Sequence, residues 1–202
     1  MTNTPATRPA RRGRPGHDLE TVLTIAVDEF NRRGYDGTSM EDLARRLGVT
    51  KSAIYHHVPS KEELLRLAVD RALDALFAEL GATGALTGRA VERLEHLVRG
   101  SVRVLAEQLP FVTLLLRVRG NTAVERAALL RRREFDHRVS ELVALAVAEG
   151  DLRPDIDPAV TARLLFGLVN SLIEWYRPRG GMSADELADT VTAVAFDGLR
   201  VR

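Results

Sequence analysis

The chain has 202 residues, 45% of them apolar and 28% charged, with a formal charge of +1. That much apolar content excludes a disordered chain, that much charge excludes a membrane bundle, and the length is ample to bury a core. The absence of cysteine removes disulfides, thiolate nucleophiles and every Cys-containing metal site together.

The longest purely apolar run, Leu142 to Ala148, falls far short of the roughly 20 residues needed to cross a bilayer. With no signal-peptide pattern at the N-terminus, the cytoplasm is the expected compartment. Residues 1–16 carry Arg8, Arg11, Arg12 and Arg14 without a single acid, among Pro5, Pro9, Gly13, Pro15 and Gly16. Proline and glycine at this density forbid a helix, so a flexible basic arm is expected. Lysine occurs only at Lys51 and Lys61; every other strong base is arginine.

Beyond the arm, apolar residues recur at helical spacing. Leu19, Val22, Leu23, Ala26, Val27 and Phe30 form one stripe, closed by Arg32-Arg33-Gly34. Ser39 with Asp42 reads as a capping-box variant opening a short helix with Met40, Leu43, Ala44 and Leu47 inward, ending at Gly48. Thr50 caps a third helix expected to run to about Val58, where Pro59 stops it. Ser60 with Glu63 caps a longer fourth helix ending near Gly81-Ala82-Thr83-Gly84. Further helices are expected at about 88–107, 110–119, 122–149, 158–177 and 183–200, with Asn121, Asp157 and Ser183 as caps. No stretch alternates with a two-residue period long enough for a strand, so the fold is expected to be all-α, with about nine helices.

Residues 38–58 combine two short helices with a tight Leu47-Gly48-Val49-Thr50 turn, the helix-turn-helix pattern. Ala44 lets the helices approach, while Val49 and Ile54 lock the pair. The second helix can then enter a DNA major groove with Thr50, Lys51, Ser52 and Tyr55 outward and Ala53, Ile54 and Val58 inward. His56 adds a donor at the groove edge, and Thr38 and Lys61, each opening a helix, are placed against phosphate.

At residues 17–65 the sequence resembles the DNA-binding domain of the TetR (tetracycline-repressor-like) family. The matching residues are Ala26 and Phe30, the run Gly34-Tyr35-Asp36-Gly37-Thr38-Ser39-Met40, Leu43-Ala44 and Leu47-Gly48-Val49, then Ala53-Ile54-Tyr55-His56-His57-Val58 and Lys61-Glu62-Glu63-Leu64-Leu65. Val58 stands where the family commonly has Phe. The resemblance implies a DNA-binding domain over residues 17–63, a C-terminal ligand-binding and dimerisation domain over 64–202, and a homodimer built from the last two long helices. It implies a repressor that binds a palindromic operator and leaves it when a small-molecule effector binds, with Thr38, Thr50, Lys51, Ser52, Tyr55, His56 and Lys61 at the DNA. Arg12-Gly13-Arg14-Pro15 resembles the core of an AT-hook, which places Arg12 and Arg14 in a minor groove; the alternative is a solvated tail.

For the shared interface the apolar ridges are Leu164, Leu165, Leu168, Val169 and Leu172 on one helix and Val191, Val194, Ala195 and Leu199 on the next, and each of these fits an intrachain core as well. Candidates to line the effector cavity are Phe77, Phe111, Leu115, Phe135, Trp175 and Tyr176, with Arg117, Arg119 and Arg138 for an anion; Trp175-Tyr176 fits a dimer rim equally. The stretch Asn170 to Pro178, followed by Gly180-Gly181 and Ser183 to Ala188, looks like the C-terminal end of TetR-family regulators of lipid, steroid or aromatic-acid breakdown. Several of those respond to coenzyme A thioesters, which makes an acyl- or aryl-CoA the effector candidate.

No cofactor and no metal are expected. The competing classes are a non-specific architectural DNA-binding protein, resting on the arm alone, and an all-helical enzyme around His96 with Glu92 or Asp136-His137. The second lacks a zinc pair, a phosphate loop and a nucleophile elbow.

Overall fold

The computed structural model describes residues 18–85, 87–178 and 180–197. Among these there are nine α-helices: α1 Leu19–Arg33, α2 Met40–Leu47, α3 Lys51–Tyr55, α4 Lys61–Gly84, α5 Ala90–Glu107, α6 Leu109–Arg117, α7 Ala123–Ala148, α8 Pro158–Trp175 and α9 Ala184–Asp197. The caps are chemical. Asp18 accepts from the Thr21 N–H at 2.8 Å, Ser39 and Asp42 form a reciprocal capping box, and Ser60 accepts from the Glu63 N–H at 3.1 Å.

Several boundaries differ from the sequence expectation: α6 and α8 each end two residues early, at Arg117 and Trp175. The third helix closes at Tyr55 rather than Val58, because the His57 N–H bonds back to Ile54 at 2.9 Å in a tight final turn before Pro59. The cap of α7 is Thr122 rather than Asn121. Glu125 completes its capping box and also accepts from the Asn121 N–H at 2.5 Å, which leaves Asn121 outside the helix.

The first three helices close over one core. Val22, Ala26, Val27 and Phe30 of α1, Leu43 of α2, Ile54 of α3, Val58 after it, and Leu64, Leu65 and Ala68 of α4 are all buried in it, with α1 packed on α2 and α4 and α3 packed on α2. Helix α4 is shared between this unit and the rest. It has 24 residues, a length of about 36 Å, and packs on α1 at its start and on α5, α6 and α7 further along. Around it α5 packs chiefly on α9 and α7 on α8. Among the described residues no helix is long and apolar enough to cross a membrane.

Candidate nucleic-acid interface and ligand pocket

The turn between α2 and α3 depends on Gly48. Its φ of 68° is the left-handed conformation that a Cβ penalises, and it lets the Gly48 and Val49 N–H groups cap Arg45 and Ala44. The chain therefore leaves α2 sharply and re-enters a helix within three residues. Ile54, with no exposed surface, anchors α3 by its inner face. Its outer face presents Thr50, Lys51, Ser52, Tyr55 and His56, all exposed, with Tyr55 43% accessible. Thr50 Oγ1 accepts from the Ala53 N–H at 3.3 Å, which leaves the hydroxyl proton available outward.

Lys51 does not stand free. Its ammonium bonds the Glu41 carboxylate on α2 and lies 5.9 Å from the Tyr55 ring centre. The hydrogen bond from Lys51 holds Glu41 below its ordinary carboxylate pKa and raises that of Lys51. Two of the residues expected at phosphate are engaged within the protomer. Thr38 is 1% exposed, and its hydroxyl donates to Gly34 O at 2.8 Å, so it closes the α1–α2 connection from within. The Lys61 ammonium donates to Tyr35 O and Thr38 O at 2.9 and 3.0 Å and sits 4.1 Å over the Tyr35 ring, a brace for the same connection. Arg12 and Arg14 lie outside the described residues.

Sequence reasoning missed Glu29. It is 4% exposed at the end of α1 and gathers Arg32 at 3.0 Å, Arg46 at 3.5 Å and Arg33 at 3.9 Å, fixing α2 against α1. The available signal was an acid inside an apolar stripe beside two Arg-Arg pairs.

Between α4, α5, α6, α7 and α8 lies an inner recess lined by Leu76, Leu105, Val112, Leu115, Phe135 and Phe166 among others, with about 40 Å³ of space that water can occupy. Ser101, 1% exposed, reaches it with an unpartnered hydroxyl, and Arg132, Asp136 and Asn170 close its polar side. The surrounding protein draws the Asp136 carboxyl above its usual range, opposed by the charges of Arg132 and Arg163. An outer cleft of about 470 Å³ follows along α4 and α7, lined by Phe77, Leu80, Thr83, Arg93, Arg138 and Leu145 among others.

The expected ligand residues therefore divide. Leu115 and Phe135 line the inner recess, and Phe77 and Arg138 the outer cleft. Phe111, Arg117, Arg119, Trp175 and Tyr176 line neither. The Phe111 ring packs under Arg71 at 4.3 Å, facing α4. Arg119 is exposed in the loop after α6, and Trp175 is 57% exposed at the end of α8. Tyr176 is buried, with its hydroxyl 3.4 Å from Met182 O.

On α8 and α9 the apolar ridges also divide. Leu165, Val169, Leu172 and Val191 are buried within the protomer, because they point at α5 and α7 rather than outward. Leu164 is 64%, Leu168 36% and Val194 65% exposed, with Val160 and Trp175 beside them and Ala195 partly buried. Leu199 lies outside the described residues.

Comparison with known proteins follows this division. Residues 22–68 match the model for bacterial regulatory proteins of the tetR family, and residues 87–199 match the tetracyclin repressor-like C-terminal domain. The chain belongs to the TetR family. It is 31% identical to the HTH-type transcriptional repressor KstR2 of Rhodococcus jostii, over 93% of each chain. The crystal structure of SCO3833, a TetR-family member from Streptomyces coelicolor A3, superposes with a TM-score of 0.84 at 56% identity, covering 92% of this chain and 94% of that one. AibR, solved with isovaleryl coenzyme A and operator DNA, superposes at 0.74 with 25% identity, covering 88% and 97%. TetR chains are transcriptional regulators with a DNA-binding helix-turn-helix, and the enzyme reading lapses with that assignment.

Proposed function

We propose that the chain represses transcription as a homodimer on a palindromic operator, and that a small-molecule effector releases it. The observation that carries this reading is the outward face of α3. Thr50, Lys51, Ser52, Tyr55 and His56 all lie open, while the buried Ile54 fixes the helix from behind. A single recognition helix reads few base pairs, so two copies spaced one helical turn apart are needed. The exposed patch of Leu164, Leu168 and Val194 is the natural seam for the second copy, since apolar groups so open in a monomer gain from cover. DNA contacts are assigned to Thr50, Lys51, Ser52, Tyr55 and His56, with Arg12 and Arg14 of the arm in the adjacent minor groove.

The effector class favoured is a coenzyme A thioester. Support comes from AibR, whose structure holds isovaleryl coenzyme A, and from an apolar recess adjoined by arginines. Operator selected from genomic fragments, followed by a panel of acyl- and aryl-CoA thioesters in fluorescence anisotropy, tests this reading. Release by a thioester but not by free coenzyme A is expected; release by an uncharged lipophile alone removes the thioester. Deleting residues 1–16 should weaken binding and flatten the salt dependence by up to about four phosphates' worth.

A further inference from the structure

The two recesses lie back to back along α4 and α7. Leu73, Leu76 and Phe135 face the inner one, while Phe77, Leu80 and Arg138, each about one turn further on, face the outer. Between them stands an aromatic ladder. The Phe135 ring meets Phe77 edge-on at 5.8 Å and Phe166 at 5.1 Å. The inner recess alone admits no more than a few waters, too little for a drug-sized ligand. Phe77 lines the outer cleft and Phe135 the inner recess, so their edge contact is the partition between a space that is apolar within and one that is polar at its mouth.

The polar mouth is unusual for this chain. Most arginines of the described residues bond a carboxylate or a main-chain oxygen, as Arg131 does with Asp70 and Asp74 and Arg132 with Leu115 O. In the outer cleft Arg93 Nε is buried without an acceptor, Thr83 Oγ1 is buried without a partner in a residue 1% exposed, and no carboxylate lies within 4.0 Å of Arg138 among the described residues. Glu134 and Glu141 also line the cleft, but both are exposed and Glu141 is turned to His137 at 3.3 Å. A buried N–H and a buried hydroxyl left open beside an unpaired guanidinium are completed by an acceptor carrying negative charge.

We infer that the outer cleft is the anion-binding half of the effector site, and that the effector is an amphiphile. Its apolar body fills the inner recess past Phe135, and its carboxylate, sulfonate or phosphate group sits between Arg93, Arg138 and Thr83. This deepens, and rests on, the ligand-released reading above. It also assigns residues that the sequence did not single out, since Arg93 and Thr83 carry no motif.

A matched pair of fluorescent probes tests it on the full chain. 1-Anilinonaphthalene-8-sulfonate and N-phenyl-1-naphthylamine share one apolar body and differ by the sulfonate. The sulfonate probe should bind at least about tenfold more tightly, and Arg93→Gln and Arg138→Gln should each remove most of that advantage without changing the neutral probe. Leu115→Trp, which fills the inner recess, should abolish both; where that variant does not fold, Leu116→Phe serves. Equal affinity of the two probes, or a sulfonate affinity indifferent to both arginine variants, overturns the inference. Operator DNA in the same titration separates the two levels. Probes that bind as expected but leave the operator bound defeat the ligand-released reading and spare the anion subsite. Release of the operator with arginine variants that make no difference does the reverse.

Discussion

Arg117 Nη1 donates to the main-chain oxygen of Asn31 over 2.9 Å, joining the last turn of α6 to the last turn of α1. The Asn31 side chain makes a second join at the other end of α6, where Nδ2 donates to Pro110 O at 2.8 Å. The same helix turns Val112, Leu115 and Leu116 into the inner recess. Helix α4 links the two parts of the chain, because it packs on α1 and also on α5, α6 and α7. The structure adds α6 as a second rod, pinned to α1 at both its ends. Any ligand that wedges α6 outward pulls directly on the core against which α3 is seated.

Arg117→Ala should therefore separate DNA affinity from ligand response. A hundredfold release needs about 2.7 kcal/mol of coupling, and one hydrogen bond to a charged group supplies about 1.5. Operator affinity without effector should stay within about twofold of the parent, while the release produced by a saturating effector falls about tenfold. Anisotropy titrations with and without effector read both quantities. A parallel loss in both would make Arg117 a structural prop only.

Lys51 is held by Glu41 in the free protein, so DNA must win the ammonium from a carboxylate. Glu41→Gln should tighten operator binding about two- to fivefold, the range of an exposed ion pair, and steepen its salt dependence. Lys51→Ala should weaken binding by about tenfold or more and shift the preferred base beneath it. Binding unchanged in both variants would place Lys51 away from the DNA.

The Asp42 carboxyl is held at about 2 by the hydrogen bonds from Ser39, aided by Arg33 and Arg45. A folded pKa below the unfolded value of 3.8 means that its contribution is complete above that value and is lost as pH falls through about 2. Asp42→Asn should lower the melting midpoint at pH 7 by about 2–4 °C. That difference should shrink between pH 4 and pH 2, and thermal melts across the range check it. A difference that is constant with pH would remove the capping carboxylate from the account.

Much of this was legible in the sequence because short-range chemistry dictates it. Ser39, Thr50, Ser60, Asp157 and Ser183 sit where hydroxyls or acids precede apolar stripes, and each caps or opens its helix. The outward set on α3 follows from helical spacing once Ile54 and Val58 are inside. What was not legible depends on where a side chain turns after the helices meet. Thr38 looks like a surface cap, yet its hydroxyl finds Gly34 O. Phe111 looks like a pocket ring, yet it lies under Arg71 on the face toward α4. Leu164 and Leu165 are neighbours with opposite fates, 64% and 4% exposed, because α7 covers only one side of α8. Long-range pairs such as Asn31 with Pro110 leave no local trace at all.

That split in α8 gives a clean test of the proposed dimer. Leu164→Asp with Val194→Asp should leave the helical content and the melting of the protomer nearly unchanged while halving the mass seen in sedimentation. Leu165→Asp, by contrast, buries a charge and should unfold the chain. A double variant that remains dimeric would move the seam elsewhere.

Hydroxyl-radical footprinting of the operator tests the central claim most directly, namely that the outer face of α3 reads DNA twice at a fixed spacing. The account predicts two protected patches about 34–36 Å apart on a palindrome, both lost when Thr50, Lys51 and Tyr55 are changed to Ala in a chain that still folds. Continuous protection without a repeat, or two patches that survive the triple substitution, would contradict it.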